Sequence, residues 1–490
     1  MTEKIKNIAL VFGSKVVIFL VSFVRGFIVP GVLGPSMYGI IELLRLLQTM
    51  LGFSDLGFRE AYLRLVIADN DKKNPDVAIK DLQNTVFSFL LISSLLGTII
   101  TILIPIFINQ DTPEMARLMW FCYTATAITH FFTLSGTIFY QTQYVNKNFS
   151  LISKLTAFQS ILSFVLIIST VFFWNIYGVF LAETVSVIVI QSIYFYKTKI
   201  QLQFSIKYKE FTRIFKFAYP FFLSNLGFYF ARLSDRTIIT MFLSIKDLGI
   251  YGFALNLSTQ LRLVSVAFNE VITPYFLEKI ASEKNLFRIK ENIKEYTHFV
   301  VALTLLIIVP LFFLIDFIVL ILPKFSDAIN VLKILLINTY IITIPLYQIL
   351  ILGSANIKKQ KIVSLNLIIG GLINWGLSIA LVKSGYGIFG VAIGTTISNF
   401  IIVTLHFGFS HKYYLKRKEL WYYIKMIVPL ILLIILAFLF ANKQGSLGFF
   451  RIRYFIAIVF SELFILILFR KETITIFKVL TTIILRKKNN

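Results

Sequence analysis

Cysteine is almost absent from this 490-residue chain. The one thiol, Cys122, rules out an intramolecular disulfide and any multi-thiolate metal site. Its neighbours are apolar or aromatic, which fits a buried structural thiol. Acidic residues are scarce, 24 against 48 Lys and Arg, and there are only 4 His. No glycine-rich phosphate loop occurs, so no soluble ATPase domain is expected. No linker between the apolar runs exceeds roughly 20 residues, long by the standard of ordinary connections. That leaves no room for a large external loop carrying catalytic carboxylates, as a membrane glycosyltransferase or polymerase would need. An enzyme is therefore not expected, and neither is a cofactor or a bound metal.

Apolar sequence is what the chain has in quantity. It is 57% hydrophobic and 15% charged, with a mean hydropathy of +0.82, far from the balance of a soluble domain. Runs long enough to cross a bilayer are expected near 8–32, 38–66, 84–108, 115–140, 149–173, 177–197 and 211–243. Further ones follow near 248–278, 297–322, 328–353, 361–383, 387–408, 421–441 and 450–470. The fold class is an all-α integral membrane protein of about 14 transmembrane helices. The first run, preceded by Lys4 and Lys6, looks like a signal peptide. However, it lacks a small-x-small cleavage site and is interrupted by Lys15, so it reads as an uncleaved helix. Gly31, Gly34 and Pro35 mark a turn between spans 1 and 2, and Pro323 one after span 9. Pro220, Pro310, Pro345 and Pro429 fall inside spans, where kinks are tolerated; at Pro220 a packing kink and a moving bend both fit.

The basic residues are distributed by loop. Roughly 30 of them fall in alternate loops and termini and only about 6 in the intervening ones, the asymmetry that orients membrane proteins. Lys197, Lys199, Lys207, Lys209, Arg213 and Lys216 form one such group, and Lys412, Lys416, Arg417 and Lys418 another. The pattern puts both termini in the cytoplasm. It accounts for most of the +24 charge through topology and anionic headgroups, without nucleic acid.

Shifting the chain by 210 positions lays spans 1–2 on spans 7–8. Gly39 falls on Gly249, Phe58 on Phe268 and Glu60 on Glu270. An even number of spans separates the copies, so the repeat is parallel, with its axis along the membrane normal. Two pseudo-symmetric six-helix halves are expected, 1–200 and 201–410, followed by two additional helices and a basic tail in 411–490.

Charges inside spans are expensive and mark pairs or hydrated cavities. Glu42 and Arg45, Asp55 and Arg59, and Glu60 and Arg64 each share a helical face at three or four residues' spacing. Arg232 and Asp235 are similarly spaced, with Arg236 alongside. For these, mutual neutralisation and a ligand role are both open. Arg25 and Arg262 have no acidic neighbour on their own helix; Arg262 is expected to line a hydrated cavity, while for Arg25, in the outer third of its span, a cavity and snorkelling are both open. Lys333 and Arg117 lie near external ends and are expected to anchor at the interface. Glu183, Asp316 and Glu462 have no near base on their own helix, so a neutral buried carboxyl and ion or proton coupling are both open; Glu60 and Glu270 are candidates for coupling as well. His130 is expected to pack or hydrogen-bond. Arginine presents a fixed charge and a donor fork suited to phosphate, which favours an anionic cargo.

Leu33 to Ile40 (Leu-Gly-Pro-Ser-Met-Tyr-Gly-Ile) followed by Phe53 to Gly57 (Phe-Ser-Asp-Leu-Gly) resembles the opening of the polysaccharide-specific flippases. That family belongs to the multidrug/oligosaccharidyl-lipid/polysaccharide (MOP) exporter superfamily. Ser234 to Leu243, then Leu248 to Ala254 and Pro274, is similar to it as well. The resemblance implies a flippase for undecaprenyl-pyrophosphate-linked oligosaccharide repeat units in a bacterial cytoplasmic (inner) membrane, serving surface polysaccharide such as O-antigen. It implies alternating access, a cationic cavity of Arg25, Arg45, Arg59 and Arg262, and a polyprenyl tail left among membrane lipids. A polysaccharide polymerase and chain-length machinery would be its partners. A lipid II flippase and a cation-coupled multidrug exporter of the same superfamily are the alternatives.

Overall fold

The computed structural model describes residues 2–69, 75–108, 112–260, 262, 286–344, 360–413, 420–439 and 447–474. Among them there is no strand, and the chain is an all-α membrane protein whose helices follow the expected fourteen segments in order. Five stretches, among them Gly13–Asp55, Phe149–Thr198 and Leu365–Phe409, are long and apolar enough by themselves to cross a bilayer. The chain forms two compact units, Met1–Tyr229 and Phe230–Asn490.

The first unit holds α1 (Thr2–Leu51), α2 (Phe58–Asp69), α3 (Pro75–Leu103), α4 (Pro113–Val145), α5 (Phe149–Thr198) and α6 (Tyr208–Phe242) as far as Tyr229. Helix α1 is two arms meeting at Gly34, where φ is 72°. The expected turn is there, reduced to a single residue that glycine can adopt without the Cβ penalty. Helix α5 breaks in the same way at Asn175, with φ 48° and ψ −130°. Across the break, Thr170 Oγ1 donates to Gly178 O at 3.0 Å, although eight residues of continuous helix would span about 12 Å. The two arms therefore turn back on each other.

Span 2 is not one helix, contrary to expectation. A 3₁₀ turn at Gly52–Asp55 ends α1, and Leu56 and Gly57 take left-handed conformations before α2. The Asp55 carboxylate accepts from the Gly57 N–H at 3.0 Å and closes this break. Span 3 begins earlier than hydropathy suggested, because α3 adds a polar first stretch from Pro75. In this unit α1 packs on α5, α5 on α4 and α4 on α3. Phe58, Tyr62, Leu82, Leu134 and Ile190 form the core, with Phe58 stacked on Phe89 at 4.0 Å.

The second unit holds α7 (245–260), α8 (Leu286–Ile321), α9 (Ala328–Thr343), α10 (Gln360–Leu381), α11 (Gly387–Tyr413), α12 (Leu420–Leu439) and α13 (Leu447–Leu468). Helix α10 packs on α11, α11 on α9, and α9 on α8, with α12 and α13 against α8. Pro323 opens the expected turn after α8. The second repeat copy is buried like the first: Gly39 to Glu42 in α1, and Gly249 to Ala254 across the start of α7. Pro345, Pro274 and the second copy from 263 onward lie outside the described residues.

Candidate functional site

In the first unit, Arg25 lies nine residues before Gly34 and Arg45 eleven after it. On an uninterrupted helix their Cα atoms would stand about 30 Å apart. Instead Arg25 Nη2 donates a short hydrogen bond to Glu183 Oε1, and Arg45 Nη2 lies 3.7 Å from that same oxygen. Only the reversal at Gly34 allows this. It sets both arginines at similar distances from the bend, roughly 15 Å of helix. Glu183 lies eight residues beyond the bend of α5 and reaches the same level.

Arg45 also donates through Nη1 to Glu42 at 2.7 Å, the pair expected from their spacing. The adjacent turn of α5 is fixed to α4: Thr184 Oγ1 and Thr129 Oγ1 are 2.9 Å apart, and Thr184 contacts Ala125 O at 3.2 Å. This leaves Glu183 facing α1. Glu42 is 1% exposed, whereas Arg25, Arg45 and Glu183 retain 23%, 28% and 19%, so the last three line accessible space rather than a sealed core. Two cations and two anions make the cluster neutral overall.

This arrangement corrects two expectations. Arg25 is not an unpaired cation, and Glu183 is not a carboxylate without a base; each is the other's partner from a distant helix. Sequence spacing could not reveal the pair because it compares residues along one helix only.

The remaining candidates are arranged as follows. Arg59 is 40% exposed and donates through Nη2 to Glu60 at 3.1 Å, with Asp55 at 3.7 Å from Nε. Glu60 therefore pairs with its chain neighbour rather than with Arg64. The Arg64 guanidinium instead lies 4.2 Å above the ring of Phe221, a cation–π contact. Arg262 is half-buried, and no acid among the described residues neutralises it. Glu270 and the side chains of Arg232 and Asp316 lie outside the described residues. Asp235 is buried and accepts from Tyr251 Oη at 2.7 Å.

Lys333 is 3% exposed within α9, which packs against three other helices; it is not an interfacial anchor as expected. Arg117 is exposed near the start of α4, where an anchor belongs. His130 is buried against Gly97 of α3, with Nε2 unbonded among the described residues, so it packs without the expected hydrogen bond at that atom. Glu462 is half-buried, with Oε1 likewise unbonded.

A second polar cluster escaped the sequence reading. Asn374 donates to Ser234 at 2.6 Å and accepts from Ser378 at 2.9 Å and Thr395 at 3.3 Å, all buried. The available signal was Asn374 and Ser378 one turn apart in the apolar second half of α10. Among the described residues, no group of three His, Cys, Asp or Glu is placed to hold a metal.

The chain is thus an all-α, multi-pass membrane protein in which ion pairs join helices far apart in sequence. The sequence model of the family described as "Polysaccharide biosynthesis protein" matches residues 5–280. The chain belongs to that family. No curated protein sequence matches it. Among solved structures it is similar to the lipid II flippase MurJ in an inward closed conformation, at 16% identity and a TM-score of 0.69, covering 96% of this chain and 100% of that one. It is also similar to a MATE-family multidrug resistance transporter of the MOP superfamily in its inward-facing conformation. There the identity is 14% and the TM-score 0.59, over 84% of this chain and 96% of that one. The outward-facing conformation of a MATE-family transporter gives 14% and 0.56, over 86% and 96%. At these identities the likeness defines the fold.

Proposed function

We propose that the chain flips undecaprenyl-pyrophosphate-linked oligosaccharide repeat units across a bacterial cytoplasmic membrane, with both termini on the cytoplasmic side. Alternating access is the mechanism, in keeping with the inward- and outward-facing forms known for MATE transporters of this fold. The observation that carries the reading is the convergence of Arg25 and Arg45 on one anionic oxygen between α1 and α5. Two guanidiniums offer several N–H donors in fixed planes, a match for the oxygens of a phosphate. The Glu183 carboxylate between the two guanidiniums supports reading them as a shared anion site. Arg59 supplies a more exposed cation in the first unit, and Arg262 is the cationic candidate of the second unit by itself. No bond is made or broken; the polyprenyl tail stays among membrane lipids while the headgroup crosses. In this reading the flipped units pass to a polysaccharide polymerase and chain-length machinery.

A lipid II flippase is the second reading, favoured by the TM-score of 0.69 with MurJ over nearly the whole chain. Its cargo shares the polyprenyl-pyrophosphate and differs in the sugars. Complementation separates the two. The gene is expressed in one strain lacking its O-antigen flippase and in another depleted of its lipid II flippase, as wild type and as Arg25→Ala, Arg45→Ala and Arg262→Ala at matched expression. Surface polysaccharide restored by the wild type and lost in the arginine variants supports the repeat-unit reading. Growth rescue of the lipid II strain instead transfers the function to peptidoglycan. Restoration that survives all three substitutions sinks the site.

A further inference from the structure

We propose that Glu183 is a resident anion that competes with the cargo phosphate for Arg25 and Arg45, so that cargo binding is linked to protonation of Glu183. The inference rests on the reading of those arginines as the pyrophosphate-binding groups. Glu183 Oε1 accepts from Arg25 and lies 3.7 Å from Arg45. A phosphate drawn to the same two guanidiniums would have to occupy the space this oxygen fills.

Charge decides the outcome. With Glu183 ionised the cluster of Arg25, Arg45, Glu42 and Glu183 is neutral and offers an incoming anion little attraction. A proton on Glu183 removes one negative charge, releases Arg25 from its partner and leaves the cluster with one positive charge. Arg45 stays held by Glu42 at 2.7 Å and is half-satisfied in either state. By reciprocity, a phosphate seated on the arginines raises the proton affinity of the carboxyl group it has displaced. Cargo and proton therefore bind together.

The surroundings single out Glu183 as the group that can respond. The charged and titratable groups that α1 brings to it are Arg25, Arg45, Glu42 and, near Arg45, Tyr38. Glu42 is 1% exposed and bound to Arg45, whereas Glu183 keeps 19% of its surface and so has a route to water. From α4 the neighbouring turn meets the hydroxyl of Thr129, and the next residue along, His130, faces Gly97 of α3 instead.

The test uses purified full-length protein in lipid nanodiscs and inorganic pyrophosphate as probe, titrated calorimetrically at about pH 6 and about pH 8, two conditions that differ in proton supply. Wild type, Glu183→Gln, Glu183→Asp and Arg25→Ala are compared, with a thermal melt for each. Glu183→Gln should bind on the order of tenfold more tightly at the higher pH, within the usual range of coupling between sites. It should also lose most of the extra affinity that the wild type gains on acidification. Glu183→Asp, one methylene shorter and still charged, should bind more tightly than wild type but keep the pH dependence. It carries the test if the Gln variant does not fold. Binding abolished by Arg25→Ala yet unchanged in affinity and pH slope by both Glu183 variants overturns the inference and leaves the arginine site standing. Wild-type binding that Arg25→Ala does not weaken overturns the arginine reading itself, and this inference with it.

Discussion

Arg25 and Glu183, 158 positions apart in the chain, form an ion pair between the first arm of α1 and the second arm of α5. Each is the residue that makes the other tolerable inside a membrane. Removing one leaves an uncompensated charge in a medium that solvates it poorly, and removing both leaves only a gap. A double-mutant cycle with Arg25→Ala and Glu183→Ala should therefore show each single substitution lowering stability and the pair lowering it by less than their sum. The expected coupling is about 1–3 kcal/mol. Reversible unfolding in detergent micelles measures it, and strictly additive effects would show that the pair contributes nothing to the fold.

Gly57 makes a second, sharper test of the architecture. Its φ is +79°, and a Cβ built there would stand 2.8 Å from the carbonyl oxygen of Ala218 on α6. Gly57→Ala thus meets a left-handed conformation and a backbone collision together, at a cost of about 1–3 kcal/mol for the conformation alone. Gly52, in the same break, would direct a Cβ into open space with nothing within 4 Å. The melting temperature should fall by several degrees for Gly57→Ala and change little for Gly52→Ala. Equal effects would contradict the packing of α6 against the break.

Much of this was legible in the sequence, and the part that was not has a common cause. Apolar runs and their breakers set the helices in order because the bilayer demands length and apolarity of each segment separately. Glu42 and Arg45 were legible for the same reason, since three residues on one helix determine a shared face. Arg25 with Glu183 was not, because which helix lies beside which is decided by packing. The break at Gly52–Gly57 was hidden by apolar residues on either side, although Asp55 and two glycines within six positions were its trace. Lys333 misled because depth along a helix says nothing of which face it presents; α9 turns that face inward.

The cluster around Asn374 should respond to a single substitution more strongly than any of its hydroxyl partners do. Asn374 serves Ser234, Ser378 and Thr395 at once, and all are buried. Replacing it with Leu removes three buried hydrogen bonds at once, at a cost of about 1–3 kcal/mol for each partner left unsatisfied. Ser378→Ala removes one donor and leaves Asn374 its other contacts. Asn374→Leu is expected to melt well below Ser378→Ala. The reverse order would mean that the asparagine is not the hub.

Glu472 ties the ends of three helices and gives the stability of the second unit a pH dependence of defined sign. It lies beyond the last span, where Oε1 accepts from His298 Nδ1 at 3.2 Å and sits 3.7 Å from Lys425 Nζ. Phe469 packs beside both partners. Burial by itself would raise the carboxyl pKa, but the hydrogen bonds from His298 and the backbone, with the charge of Lys425, hold it below the usual 4.5. A pKa depressed on folding means the unfolded chain binds the proton more readily. The stabilisation is complete above about pH 4.5, the unfolded value, and is lost as the pH falls through the lower folded value. Glu472→Gln should accordingly melt below the wild type at neutral pH. The gap should hold down to about pH 5 and close as the pH drops further into the range where both chains carry a neutral group. Melting curves for the two proteins over that range decide the matter, and a gap that persists unchanged in acid would assign the effect of the substitution to packing rather than to charge.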